Sequence, residues 1–359
     1  MKRPLLLAHR GFSGNYPENS PLAFRMAVEK TAADGFESDV HITKDGKLVI
    51  FHDASVERTS NGTGFIKNMT YDELLSLDIG AWKSPEFAGQ HIWTFGQLLD
   101  FCKETKMLLN MELKNYEVFY ENLEQRVIDE ICKRQMQEQV FVSSFNHISM
   151  QHFKELCPDI ETGLLYDKPY LDMEHYVQRS NADNMHPRYM LLQYQPELME
   201  LFHGRGMKVN TWTVNDEENM KDMIARGVDC IISNHPDVLC RVADFENVWT
   251  KFHHLRSTTL KDHDSAKEAI NQAHAYALEQ GTFDQKVFYE AFGIFDNQSI
   301  EKSLVSENPL VRIFALLDRR LGKRRLLALE ESMEQELDWV RAFYVIRLQA
   351  EGLMEANNI

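Results

Sequence analysis

Short apolar runs alternate with stripes of helical period through the amino-terminal part of the chain. Leu5–Ala8 is an apolar run without helical period, punctuated by Gly11, and predicts a buried strand. Asn19 precedes Pro21 and the helically spaced LAFRMAVEKTA, so Asn19 is expected as the N-cap with proline in the first turn. Phe36–Ile42 reads as the next strand. Lys44-Asp45-Gly46 turns it back into Leu48–Phe51, a hairpin that ends at His52. Between Ala54 and Ile92 the pattern loosens. Ser60-Asn61-Gly62-Thr63-Gly64 is turn chemistry, and Thr70 with Glu73 makes a capping box for a short helix over Thr70–Leu77. This stretch is an excursion after the second strand; its turn is either a plain turn or a lid over a site.

Alternation then resumes. Helix Thr94–Lys103 leads to strand Leu108–Lys114, helix Phe119–Gln135 to Val140–Phe145, and helix Ile148–Leu156 to Thr162–Tyr166. A helix near Leu171–Arg179 precedes Asn184–His186, Pro196–His203 precedes Lys208–Val214, and Glu217–Ala225 precedes Cys230–Ser233, with a last helix from about Asp237. Leaving the hairpin return aside, eight strands separated by helices predict an α/β fold, a TIM (β/α)8 barrel. An open doubly wound sheet is the competitor, but HRGFSG is not the glycine fingerprint its dinucleotide form carries after the first strand.

Near residue 247 the alternation stops. Ser265–Gln280, with Ser265 and Glu268 as capping box and Gly281 as stop, reads as a helix. Asn308-Pro309 opens another with Leu310, Ile313, Phe314 and Leu317 on one stripe and Gly322 at its end. Met333, Leu337, Val340, Tyr344 and Leu348 mark a final amphipathic helix. The expected organisation is therefore a barrel over residues 1–246, with an insertion at about 54–92, and a C-terminal all-helical extension over 247–359. The extension's apolar stripes must pack on something, whether a partner, a second copy or the barrel.

Composition narrows the function. A formal net charge of −16 argues against nucleic-acid binding and against attachment to anionic membranes. The five cysteines are scattered and odd in number, without a CxxC pair, which fits reduced thiols in a cytoplasmic protein. Leu5–Leu7 is too short for a signal-peptide core, and no apolar run approaches a membrane span. The basic cluster Arg319, Arg320, Lys323, Arg324, Arg325 lies near Glu330 and Glu331 and reads as a salt-bridged helix face.

Catalytic groups in such barrels sit at the carboxyl ends of strands. His9 and Arg10 end the first strand, Glu37 and Asp39 share a face of the second, and Glu112 and Lys114 share a face of the third. His186 ends the sixth, and Asn210 and Trp212 share a face of the seventh, where Asn210 is either a strand-end cap or a substrate contact. Singly, each has a bland explanation. Three acids gathered on adjacent barrel strands, however, must be neutralised by a cation or a bound metal. Phe145 and Tyr166 are expected to pack. His147, His152, His175, His203, His253 and His254 share no ligand spacing with acids and are expected at the surface.

The segments AHRGFSGNYPENS, ESDVHITKDGKLVIFHD, RTSNGTG, MELK and VNTWTVN, in this order over residues 5 to about 246, resemble the glycerophosphodiester phosphodiesterase family. The resemblance implies a TIM-barrel hydrolase that cleaves glycerophosphodiesters to glycerol 3-phosphate and an alcohol with one divalent cation, Mg²⁺ or Ca²⁺. Carried over by motif, it implies His9 and His52 as the acid–base pair and Glu37, Asp39 and Glu112 as metal carboxylates. Arg10 and Lys114 match phosphate-binding positions, and Trp212 matches an aromatic on the glycerol side. The chain departs from the family pattern at Gly35-Phe36, at Ser233-Asn234 and at Pro21, none of which is among these residues. Two other readings compete: a lysophospholipid- or phospholipid-cleaving relative, and a barrel used as a binding scaffold whose helical tail is the operative part. The intact set of imidazoles and acids speaks against the scaffold.

Overall fold

The computed structural model describes residues 3–244, 274–283 and 285–354, in two compact units, residues 1–244 and 245–359. In the first unit nine strands form one sheet: β1 (Leu5–His9), β2 (Gly35–Ile42), β3 (Leu48–Ile50), β4 (Leu108–Leu113), β5 (Val140–Ser144), β6 (Thr162–Tyr166), β7 (Asn184–Pro187), β8 (Lys208–Thr211) and β9 (Cys230–Ser233). Eight are parallel neighbours, from β1 through β2, β4, β5, β6, β7 and β8 to β9, and β9 pairs back onto β1. The sheet closes into the expected TIM barrel. β3 is the hairpin return, antiparallel on the end of β2 with Val40 opposite Ile50.

The period of two along each strand sorts side chains into two layers. Phe36, Val40, Leu109, Met111, Val142, Met185 and Val209 face outward and pack with helix residues such as Phe24, Leu98, Val127 and Phe153. The alternate set faces the barrel axis, where Leu7, Phe141, Cys230 and Ile232 form a small separate apolar cluster. Gly163 is required by close approach, since a Cβ there would lie 2.3 Å from Nε2 of the buried His186.

The excursion between β3 and the helix Phe95–Thr105 has its own apolar core. Val49, Phe51, Val56, Ile66, Leu74, Ile79 and Ile92 form it, and the Thr70–Glu73 capping box opens its helix, Tyr71–Leu75.

Several boundaries differ from expectation for local reasons. Ser20, not Asn19, caps the first helix, its side chain accepting from Ala23 N–H, while Asn19 takes a left-handed φ of 55° and turns its amide inward. The helix expected from Phe119 starts at Leu123, after Asn122 at φ 59°. A helix at Tyr189–Tyr194 was not expected, because Pro187 and Pro196 bracket it and no side chain caps it.

The described residues of the second unit are helical, as expected. Asn308 caps Pro309–Leu317 through a bond from Leu310 N–H, and Leu310, Ile313, Leu316, Val340, Tyr344 and Leu348 share its core. The final stripe is split: Met333 belongs to a short helix, Glu330–Met333, and the last helix is Asp338–Ala350. The expected start of the Ser265–Gln280 helix lies outside the described residues, which are helical over 274–279. Arg320 pairs with Asp318, Lys323 with Glu351 and Arg325 with Glu301, so three of the five basic residues are salt-bridged, though not to Glu330 or Glu331, and only Lys323, Arg324 and Arg325 lie on a helix.

Candidate active site

Parallel register brings the site residues side by side at the carboxyl ends of the first strands. His9 stands opposite Glu37 on β2, and Asp39 stands opposite Glu112 on β4. Glu37, Asp39 and Glu112 each offer a carboxylate oxygen, and these oxygens lie within 4.8 Å of one another. All three acids are buried. Burial and the neighbouring Asp39 push the Glu37 carboxyl well above its usual range. Burial opposes ionisation of Asp39 too, but Lys114, His52, Arg10 and a bond from the Asn19 amide outweigh it and hold that carboxyl well below its usual range. Asn19 Nδ2 donates to Asp39 Oδ2 at 2.9 Å, and Lys114 Nζ donates to Glu112 Oε1 at 2.9 Å.

Two acidic oxygens are left over. Glu37 Oε2 and Asp39 Oδ1 are buried and accept no hydrogen bond. Buried carboxylate oxygens without donors are costly, and hard oxygen ligands in a group of three suit a divalent cation. The acidic triad therefore fits one.

The two imidazoles are held from behind. His9 Nδ1–H donates to Asn234 Oδ1 at 2.5 Å, leaving Nε2 toward Glu37 Oε2 at 3.6 Å. Burial, then the Arg10 charge, lower the His9 pKa to about 3 against the opposing Asn234 bond, so this ring is neutral near pH 7. His52 Nδ1–H donates to Asp53 Oδ1. The buried His41 fixes the backbone beneath it, with Nε2–H on the His52 carbonyl and Nδ1 accepting from the Tyr120 hydroxyl.

Arg10 has a left-handed φ of 55°, a strained position for a side chain of this size. Its N–H donates to Glu37 O at 2.8 Å and its carbonyl accepts from Asn19 N–H, which hold the strain in place. The guanidinium reaches Glu18 at 2.8 Å and Asp39 at 3.5 Å.

His9, Arg10, Glu37, His52, Glu112 and Trp212 line one cavity of about 80 Å³, enough for a three-carbon polyol fragment. Trp212 donates to the His186 carbonyl and packs edge-on against Phe145, which in turn meets Tyr116. Phe145, expected only to pack, is thus part of the cavity wall. Lys114 stands behind the wall between Glu112 and the Tyr116 hydroxyl. A larger cavity of about 540 Å³ opens among the amino ends of the strands. Its lysine and arginine are spent on ion pairs, Lys208 with Glu161 and Arg3 with Asp34.

The model of the glycerophosphoryl diester phosphodiesterase family matches residues 9–238. The chain belongs to that family. Among its relatives, a glycerophosphodiester phosphodiesterase of Caldanaerobacter subterraneus subsp. tengcongensis is 40% identical over 66% of this chain and 96% of its own length. One from Bacillus altitudinis is 34% identical over 67% of this chain and 98% of its own. A solved phosphodiesterase of Oleispira antarctica, in complex with the product sn-glycerol-3-phosphate, superposes with a TM-score of 0.63 at 28% identity, over 67% of this chain and 97% of that one. The model of the SF0329 protein family matches residues 212–348, which take in the described part of the helical unit up to Leu348.

All eight residues singled out by family motif fall at this end of the barrel. Sequence reasoning passed over Glu18, His41, Asp53 and Arg58, and took Asn19 only as a helix cap. Asp53 had a signal, being the acid next to a motif histidine. Asn234 was noticed only as a departure, yet its amide oxygen is what His9 leans on. Asn210 is a buried partner of His186 Nε2 at 2.9 Å rather than a strand-end cap. His152, His175 and His203 are at the surface as expected; His147 is not, since it donates to the Leu165 carbonyl and bonds Tyr176. His253 and His254 lie outside the described residues. Among the described residues no helix is long and apolar enough to cross a membrane.

Proposed function

We propose that the chain hydrolyses water-soluble glycerophosphodiesters to glycerol 3-phosphate and an alcohol, with His9 and His52 as the acid–base pair. The observation that carries this is the shared cavity: both histidines, Glu37 and Glu112 border one polyol-sized space, and the Asp39 carboxylate lies within 4.8 Å of the other two acids. Glu37, Asp39 and Glu112 would hold one divalent cation, Mg²⁺ or Ca²⁺, which supplies charge neutralisation for a phosphate oxygen. Arg10, which borders the cavity, would hold a remaining phosphate oxygen by a charge-assisted hydrogen bond, and Lys114, behind the wall, would contribute its charge and hold Glu112 in place. Trp212, with Phe145 beside it, gives the glycerol carbons an apolar wall. One imidazole takes the proton of the attacking hydroxyl, from water or from the glycerol 2-OH, and the other protonates the leaving alkoxide. Both rings bond an oxygen acceptor through Nδ1 and so turn Nε2 to the substrate, bare in the ring that acts as base and protonated in the ring that acts as acid. The five cysteines, all free, fit a reducing compartment such as the cytoplasm.

The test is a hydrolysis screen over glycerophosphocholine, glycerophosphoethanolamine and glycerophosphoglycerol, with Mg²⁺, Ca²⁺ or chelator. Turnover should require the cation and disappear in His9→Ala and His52→Ala. Near-wild-type turnover in either variant overturns the two-histidine reading.

A second reading has an observation in its favour. Phe119, Ile148, Tyr170 and Leu171, on the segments that follow β4, β5 and β6, are exposed apolar side chains at the ends where the site lies. They would suit the acyl chain of a lysophospholipid. Lysophosphatidylcholine cleaved faster than glycerophosphocholine would favour this reading over the first.

A further inference from the structure

Arg58 belongs to the inserted excursion, yet its guanidinium is spent entirely on two carboxylates of the catalytic end. Nε and Nη2 donate to Asp53 Oδ2 and Oδ1 at 2.6 and 2.9 Å. Nη1 and Nη2 donate to Glu18 Oε2 and Oε1 at 3.0 and 2.7 Å. Two bidentate forks on one planar group fix it far more tightly than a lysine could be fixed. Each carboxylate also reaches past Arg58 to the site, where Asp53 accepts from His52 Nδ1–H and Glu18 accepts from Arg10 Nη1.

The result is an unbroken chain from His52 through Asp53, Arg58 and Glu18 to Arg10. The backbone that carries Arg58 is held by the excursion's own core, since Val56 and Thr59 on either side are buried. Lys83, also of the excursion, donates to the Ser13 and Gly14 carbonyls of the loop after β1.

We infer that Arg58 is the positioning residue of this active site: through Asp53 it sets the ring orientation and tautomer of His52, and through Glu18 it sets the reach of Arg10. The inference rests on the phosphodiesterase reading for its catalytic consequence, but not for its geometry. It also gives the excursion a function other than a lid, as the scaffold that delivers one guanidinium to both halves of the machinery. Without Arg58, Asp53 is free to turn away from the imidazole, and His52 divides between its two tautomers, of which only one presents a basic Nε2.

The experiment compares full-length wild type, Arg58→Gln, Asp53→Asn and the double variant. Arg58→Gln should lower kcat by roughly 10- to 100-fold, the usual loss when a partner behind a reactive side chain is removed. Arg58→Lys should restore only a small part, because one ammonium cannot replace two forks. The double variant should lose clearly less than the product of the two single losses, since Arg58 acts on His52 through that carboxylate and only its effect through Glu18 on Arg10 adds to the loss in Asp53→Asn. Losses that multiply instead would overturn the proposal.

A readout independent of turnover separates this from the functional reading. Histidine ¹⁵N spectra should show His52 with its proton on Nδ1 in wild type, and a mixture in Arg58→Gln. An unchanged His52 signature in a folded Arg58→Gln overturns the positioning role even if the enzyme is active. The predicted spectra without hydrolysis of any diester overturn the functional reading alone.

Discussion

The two units treat buried charge in opposite ways. In the helical unit the one buried charged residue among those described, Arg347, is fully employed. It donates to the carbonyls of Leu316, Leu317, Asp318 and Leu321, where the helix Pro309–Leu317 ends, and pairs with Glu351. Its charge closes off a helix terminus, which is a structural role. In the barrel, Glu37 Oε2 and Asp39 Oδ1 are buried and accept no hydrogen bond, and Arg10 Nε makes none, its nearest partner being Asp39 at 3.5 Å. Clustered charged groups that folding leaves without hydrogen bonds suit a ligand of opposite charge. The contrast in buried charge points to the barrel as the unit that carries chemistry, in agreement with the family match over residues 9–238.

The sharpest way to break this contrast is to remove one charge from each side. Glu37→Gln should cut kcat/KM by more than about 100-fold, beyond the loss expected for a partner that only supports a ligand. Because burial and Asp39 disfavour its charged form, the same change should leave the melting temperature of the cation-free protein unchanged or raise it. Arg347→Met should do the reverse. It orphans several carbonyls and should cost about 2–4 kcal/mol, read as earlier unfolding, with hydrolysis within twofold of wild type. A Glu37→Gln protein that melts markedly earlier would show that the acid serves the fold.

The same opposition explains what the chain made legible. Strands were readable because the barrel buries both faces, so apolar runs such as Leu5–Ala8 and Val140–Val142 stand out from amphipathic helices. Pairs of acids separated by one residue were readable because strand geometry puts them on one face. What escaped was the layer behind: Glu18, Arg58 and Asn234 come from loops and act across up to 225 residues, as in the His9–Asn234 bond. No periodicity links such positions. Asn19 misled for a related reason, since a good capping residue was taken by the site and Ser20 filled its place.

A smaller effect should follow acidification. His186 sits in the barrel interior, bonded to Asn210, and burial lowers its pKa to about 3. Its unfolded form titrates near 6.5, so below that pH the unfolded chain binds a proton the folded one refuses. Stability should therefore fall as pH drops from about 6.5 toward about 4.5, by on the order of 1.4 kcal/mol per pH unit from this group. Urea titrations of His186→Asn should show a shallower slope over that window. An equal slope would mean that the buried imidazole is not what acid attacks.

The smallest expected effects test whether local structure is built alike in both units despite their different use of charge. Thr94 caps Phe95–Thr105 with a full capping box to Gln97, and Asn308 caps Pro309–Leu317. Replacement of either by Ala should cost about 1 kcal/mol. Peptide-resolved hydrogen exchange should then register a roughly fivefold loss of protection in the altered helix. Equal losses would mean that capping obeys one rule on both sides and that the units diverge only in their buried charges. If Thr94→Ala instead loosened His52 and slowed turnover, the excursion and the helix that follows it would share one mechanical role, and the division between structural and reactive polar groups would have to be redrawn inside the barrel itself.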